Sequence, residues 1–273
     1  LIKSYIEILR PTNALMAVIA VVLMAFINRY YIWPAVLGII AVFLATGAGN
    51  VINDYCDYEI DKINKPNRPI PSGRIKRINA LYYSLILFGI AIILGFIISI
   101  PVGLLVVICT FLMILYAYDL KKRTLIGNIC VSLLTALTFV YGGMIVSDVI
   151  LGVILGVFAF IMTLSREIIK DTEDIKGDKL ENAKTFPIIY GAKKAVYLAV
   201  ILNIITCLLS PLLYIYHIFN IGYLVIVIIA DIMFIYTAYM ALGSYSEENL
   251  HKVSKYMKIA MCIAFVSFAI GTI

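Results

Sequence analysis

The chain has 273 residues, 63% of them hydrophobic and 14% charged, with a net charge of +6; soluble domains carry roughly 25% charged residues. Residues 78–118, 124–147, 149–165 and 195–230 contain no Asp, Glu, Lys or Arg, and runs of ~18 or more such residues read as membrane spans. The composition excludes a soluble globule, and without short alternating strands it excludes a barrel.

In chain order, an amphipathic interfacial segment is predicted around Tyr5 to Arg10, followed by nine membrane helices at 12–27, 34–57, 79–99, 102–119, 125–146, 149–171, 193–213, 221–243 and 256–273. The connections between spans three and four (Ile100-Pro101) and between five and six (Ser147-Asp148) are minimal. Lys3, Glu7 and Arg10 interrupt the start, so no cleavable signal peptide is expected. Of the 22 Lys and Arg, 21 fall before the first span, in the connections that share its side or in the span ends that border them; only Arg29 lies opposite. The positive-inside rule then places the N-terminus and every long connection in the cytoplasm and the C-terminus outside. This distribution accounts for the net charge without any nucleic-acid partner. The opposite connections carry Tyr30, Tyr31, Trp33, Tyr214, Tyr216, His217 and Phe219, as an interface requires. The five cysteines include no C-x-x-C pair and are expected to be free thiols.

Two segments carry polar side chains in one register. Asn50, Asp54, Asp57 and Asp61 are spaced 4, 3, 4, as are Glu167, Asp171, Asp174 and Asp178, each 117 residues after its counterpart. On a helix these spacings form one column of oxygen ligands. Both columns end membrane spans on the same predicted side. Pro69-Ile70 and Gly73 are echoed by Pro187-Ile188 and Gly191. The chain is therefore expected to be a single domain over 1–273 with a weak parallel repeat, helices one to four and five to eight, plus a ninth helix. Oxygen ligands without His or Cys select a hard cation, Mg²⁺ rather than Zn²⁺. Two facing columns would hold Mg²⁺ with a bridging diphosphate, and Arg68, Lys121, Lys122 and Lys170 could neutralise phosphate oxygens.

Asn53-Asp54-x-x-Asp57-x-x-x-Asp61 and Asp171-x-x-Asp174-x-x-x-Asp178 resemble the two signatures of the UbiA-type intramembrane prenyltransferases. Lys65 to Gly73 looks like that family's loop after the first signature, and Tyr116-Ala117-Tyr118-Asp119-Leu120-Lys121 like its Y-x-x-x-K-type segment. The resemblance implies an all-α polytopic bundle around a central cavity, open laterally to lipid and capped on its cytoplasmic side. It implies that Asn53, Asp54, Asp57, Asp61, Asp171, Asp174 and Asp178 bind Mg²⁺ and a prenyl diphosphate, with Asp54, Asp57, Asp174 and Asp178 central to catalysis. Asn67 to Gly73 and Glu167 to Asp171 are most similar to the archaeal branch, which transfers geranylgeranyl to the free hydroxyl of geranylgeranylglyceryl phosphate. Substrate contacts are expected from Asn50, Asn53, Arg68, Tyr116, Tyr118, Lys121, Lys122 and Lys170, with Arg10 and Lys121 for the acceptor phosphate.

Tyr116, Tyr118 and Tyr141 could stabilise an allylic cation. Asn13 lines the site or caps the first span. Asp54, Glu167 or the departing diphosphate could take the hydroxyl proton. Asp231, mid-span, is expected to make a structural hydrogen bond. An aromatic acceptor, from quinone or haem pathways, is the near alternative. A cation-coupled transporter is a further one, set back by acids at one face rather than the midplane. A CDP-alcohol phosphotransferase is discounted, since Tyr58 follows Asp57 where that family needs Gly.

Overall fold

The structure is a computed structural model that describes residues 2–180 and 183–273. Every regular element among them is helical: α1 (Ile2–Ile8), α2 (Pro11–Ile27), α3 (Trp33–Cys56), α4 (Tyr58–Asn64), α5 (Arg77–Ile98), α6 (Ile100–Tyr118), α7 (Ile126–Ile145), α8 (Val149–Glu173), α9 (Ile175–Leu180), α10 (Phe186–Tyr190), α11 (Ala192–Leu209), α12 (Leu212–Ile215), α13 (Ile221–Gly243) and α14 (Glu247–Ile270), with one 3₁₀ turn at Leu120–Lys122. Among the described residues, eight helices are long and apolar enough to cross a membrane, and α1 with α2 forms a further pair bent by 56°. The bend has a length argument behind it: the 17 residues of α2 reach about 25 Å, short of the roughly 30 Å of a hydrocarbon core. The chain is thus an all-α, multi-pass membrane protein.

Most predicted span limits hold within a few residues. The ninth differs: α14 starts at Glu247 rather than 256. Ser246 caps it by accepting from the Asn249 amide (3.3 Å), and Lys252 pairs with Glu248 one turn on (2.7 Å), so a charged, capped extension precedes the apolar stretch.

Two compact units are present, residues 1–121 with 134–156, and 122–133 with 157–273. In the first, α3 packs against α2, α5 and α6. Its buried face is rich in Ala and Gly (Ala35, Gly38, Ala41, Ala45, Gly47, Ala48), which lets helices approach closely where lipid offers no hydrophobic drive. The Ser84 hydroxyl donates to the Ala48 carbonyl (3.1 Å) across α3 and α5. Leu9, Val51, Ile52, Ile70, Ile75 and Phe88 share one core, so the connection after α4 folds back onto α1 and α3 instead of trailing into water. Where α7 meets α8, Gly143 and Gly152 bring backbones together; a Cβ on Gly152 would lie 2.7 Å from the Phe139 carbonyl oxygen.

In the second unit, α13 packs against α11 and α14. Phe158, Phe219, Tyr223, Phe265 and Phe268 form an aromatic core. Ser165 of α8 donates to the Ala199 carbonyl of α11, with Asn203 Oδ1 also at 2.8 Å. Ser165 is the 117-residue counterpart of Ala48, so a serine bond joins the acid-bearing helix to its neighbour in each unit, with donor and acceptor exchanged.

Candidate active site

Both polar columns ride on a long helix that breaks at its third ligand. α3 ends at Cys56 and α4 starts at Tyr58; α8 ends at Glu173 and α9 starts at Ile175. The breaks at Asp57 and Asp174 are themselves 117 residues apart. Each keeps the helical ladder: the Asp57 amide donates to Asn53 O (2.9 Å) and Asp61 to Asp57 O (2.8 Å); Asp174 donates to Lys170 O (2.9 Å) and Asp178 to Asp174 O (3.0 Å). Register therefore survives the interruption, and side chains at these spacings stay on one face. The echo continues at Gly73 (φ +75°) and Gly191 (φ +89°), left-handed turns that glycine tolerates without steric cost.

In the first unit the acids sit on arginine and lysine. Asp54 is 2% exposed and Asp61 3%. Arg68, from the connection after α4, donates to Asp54 Oδ1 (3.2 Å) and Asp61 Oδ2 (2.5 Å). Arg10 also donates to Asp54. Lys121, just past α6, donates to Asn53 Oδ1 (3.1 Å) and pairs with Asp57. Asn53 turns its amide nitrogen to Asp57 Oδ2 (3.0 Å). Three carboxylates thus face three cations brought from the α1–α2 junction, the connection after α4 and the end of α6.

Other side chains hold those cations in place. Asn50 donates to the Leu9 carbonyl (2.8 Å), fixing the α1–α2 junction where Arg10 adopts φ 49°. The structure therefore gives the Asn50 amide a positioning contact one turn from Asp54. Arg74 grips Glu7 with two bonds (2.5 and 2.8 Å) and the Asn67 carbonyl with a third (2.6 Å), clasping the connection that carries Arg68 onto α1. The hydrogen bond to Glu7 holds the Arg74 pKa above its usual value. Arg10 is the N-cap of α2, which has no side-chain cap hydrogen bond; Asn13 is exposed in the first turn, so the capping alternative for Asn13 does not hold.

In the second unit, Asp171 accepts from Asn128 Nδ2 (2.9 Å). Glu167 accepts from Arg166 (3.0 Å) and Lys170 (3.2 Å). Asp174 is exposed and Asp178 half-buried. Glu173 meets His251 Nδ1 at 2.6 Å, tying α8 to the charged start of α14. The Lys122 carbonyl accepts from the Lys184 amide (3.0 Å) while its side chain is exposed.

Of the aromatic candidates, Tyr116 is half-buried, whereas Tyr118 is 58% exposed and lies by Cys56, Tyr55 and Arg77. Tyr141 is buried and donates its hydroxyl to the Gly38 carbonyl (3.3 Å). Asp231 accepts from the Ser210 hydroxyl (2.5 Å), as a structural role requires. Sequence reasoning missed Asn128; its signal was a lone amide inside an uncharged span. Nothing local announced the Glu7–Arg74 clasp, which joins residues 67 apart.

Chemically, both columns offer oxygen donors only, which suits a hard divalent cation. Among the described residues no three His, Cys, Asp or Glu side chains gather into a ready cage; Mg²⁺ characteristically takes one or two carboxylates and completes its shell with water and phosphate oxygens. Asn53, Asp54, Asp57 and Asp61 in the first unit, and Asp171, Asp174 and Asp178 in the second, offer the type of oxygen donor such an ion takes.

Comparison with known proteins agrees with this geometry. Residues 14–262 match the UbiA prenyltransferase family. Digeranylgeranylglyceryl phosphate synthase of Methanosphaera stadtmanae is 69% identical over 271 residues, covering 99% of this chain and 100% of its own length. The synthase of the same name from Methanothermobacter thermautotrophicus is 47% identical, covering 99% of this chain and 96% of its own. A solved structure described as digeranylgeranylglyceryl phosphate synthase superposes with a TM-score of 0.86 at 39% identity, covering 99% of this chain and 98% of that one. The fold is shared with a UbiA homologue from Archaeoglobus fulgidus bound to GPP and Mg²⁺ (TM-score 0.71, 18% identity, 97% and 99% coverage). The chain belongs to the UbiA prenyltransferase family and is a multi-pass membrane prenyltransferase.

Proposed function

We propose that the protein transfers a geranylgeranyl group from geranylgeranyl diphosphate to the free hydroxyl of geranylgeranylglyceryl phosphate, forming an ether bond of archaeal membrane lipid. The observation that carries this reading is full-length identity, up to 69%, to relatives named for that synthase. The paired acid columns and their surrounding cations support it.

Residues 1–273 work as a single prenyltransferase domain. Asn53, Asp54, Asp57, Asp61, Asp171, Asp174 and Asp178 would hold Mg²⁺. When bound, that ion stabilises the negative charge developing on the departing diphosphate. Arg68 and Lys121, which meet carboxylates in the structure, exchange part of that contact for phosphate oxygens; the guanidinium fork of Arg68 suits them. Lys122 and Lys170 add positive charge, and Arg10 receives the acceptor's phosphate. As the allylic C–O bond breaks, its electron pair leaves with diphosphate. The acceptor oxygen bonds to the allylic carbon, and its proton passes to the diphosphate. Both carboxylates that could take that proton are engaged elsewhere, Asp54 with Arg10 and Arg68, Glu167 with Arg166 and Lys170. With 21 of 22 basic residues on one side, the α1 end and the site-bearing connections face the cytoplasm.

The test is a product assay with labelled geranylgeranyl diphosphate and a panel of acceptors: geranylgeranylglyceryl phosphate, an aromatic quinone precursor and haem. Product is expected with Mg²⁺, none with EDTA, and most with the glyceryl phosphate. Preference for an aromatic acceptor would overturn the lipid assignment, and ion flux in liposomes without prenyl transfer would overturn both.

A further inference from the structure

The residues immediately after the acids of the first column, Tyr55, Tyr58 and Lys62, build a second array about 100° round the helix. Arg77, the first residue of α5, lies against it. Its guanidinium carbon is 4.7 Å from the Tyr55 ring centre and 5.1 Å from that of Tyr58. Its Nε donates to the Tyr55 carbonyl (3.2 Å). The Lys62 ammonium sits 4.2 Å from the Tyr58 ring centre. Its pKa is raised, first by the hydrogen bond to Glu59 and then by that to Tyr58.

Arg77 differs from the other arginines of this region. Arg10, Arg68 and Arg74 each rest on a carboxylate. Among the described residues Arg77 meets no carboxylate; two rings and a carbonyl fix its plane. A guanidinium held by its Nε and stacked on rings presents its two Nη groups as a preformed fork for an oxyanion. Its depth favours a lipid. Arg77 is exposed at the head of a spanning helix, the level of headgroups, and Tyr118, 58% exposed at the end of α6, adds a further interfacial ring.

We propose that Arg77, seated on Tyr55 and Tyr58 with Lys62 beside it, is a docking site for the phosphate of an anionic membrane lipid, separate from the cations that meet the acid column. The ammonium of Lys62 packs on the far ring of the pair, Tyr58, and is itself paired with Glu59 (3.1 Å), so the fork of Arg77 is the principal anion contact. This reading rests on the membrane location alone and stands whether or not the acceptor proposed above is correct.

The experiment measures binding of fluorescent phosphatidic acid to the purified protein in neutral detergent, with phosphatidylcholine as control and helical circular dichroism as the folding check. Wild type should prefer phosphatidic acid. Arg77→Gln should weaken binding about tenfold, the scale of one charge-assisted fork. Arg77→Lys, which keeps the charge but loses the fork, should also bind more weakly than wild type, and Tyr55→Leu should do the same by freeing the guanidinium. Lys3→Gln and Lys65→Gln should bind as wild type does. Unchanged binding in Arg77→Gln would overturn the proposal. So would equal weakening by Lys3→Gln or Lys65→Gln, because diffuse surface charge would then be the cause. Displacement of the lipid by an equal concentration of inorganic phosphate would reassign the fork to a soluble anion and end the lipid reading.

Discussion

Arg68 is the counter-ion on which the first acid cluster most depends, and a double-mutant cycle measures that dependence. Its side chain is 22% exposed, while those of Asp54 and Asp61 are 3% and 4% exposed. Removing one partner of a buried pair costs roughly 3–5 kcal/mol because a desolvated charge is left behind. The partial exposure of Arg68 favours the lower end, about 3 kcal/mol for Arg68→Ala. Asp54 keeps Arg10 in that variant; Asp61 keeps no cation among the described residues. The loss should therefore come chiefly through Asp61. Neutralising it should return part of the loss, so Arg68→Ala with Asp61→Asn should be more stable than the sum of the single variants predicts, by about 1.5 kcal/mol or more. Denaturant titration in detergent, followed by helical circular dichroism without Mg²⁺, reads the four stabilities. Additivity of the two single losses to within about 0.5 kcal/mol would refute the pairing.

Asp54→Ala and Asp174→Ala should each lower turnover by about 10²-fold or more while the helical spectrum stays intact, as removal of a group that stabilises developing charge does; wild-type rates in either would remove that residue from the site. Asn50→Ala should destabilise by about 1 kcal/mol through loss of its bond to Leu9 and raise KM more than it lowers kcat, measured by steady-state kinetics, because it loosens the junction that carries Arg10. Gly152→Val should cost several kcal/mol, with backbone rather than a flexible side chain in the way, and show as loss of monodisperse protein on size exclusion. Asp231→Asn, which can still accept from Ser210, should leave product formation unchanged in the labelled-product assay; loss of activity would give Asp231 a role beyond structure.

The spans and the two ligand columns were legible along the chain because both are one-dimensional. A bilayer demands long uncharged runs, and a spacing of 4, 3, 4 survives any packing that keeps the helix. Even the breaks at Asp57 and Asp174 leave the columns aligned, because the i→i−4 bonds run through them. Arg68, in the connection after the first motif, and Lys121, in the connection after the fourth span, were also readable as phosphate-suited cations. Which acid each meets was not: Lys170, grouped by sequence with the phosphate-binding cations, turns to Glu167, and Tyr118 stands with Tyr55 and Arg77.

Sequence alone determined that this is an all-helical membrane protein bearing two columns of oxygen donors, since hydropathy and helical period depend only on neighbours along the chain; its prenyltransferase character was legible only through the resemblance of those columns to the family's two signatures. Tertiary structure decided the pairings: Arg10 and Arg68 on Asp54, Lys121 on Asp57, Asn128 on Asp171, and Glu7 with Arg74. These contacts join residues as much as 67 positions apart, and spacing fixes the direction in which a side chain leaves its own helix, not what the folding of distant segments brings opposite it.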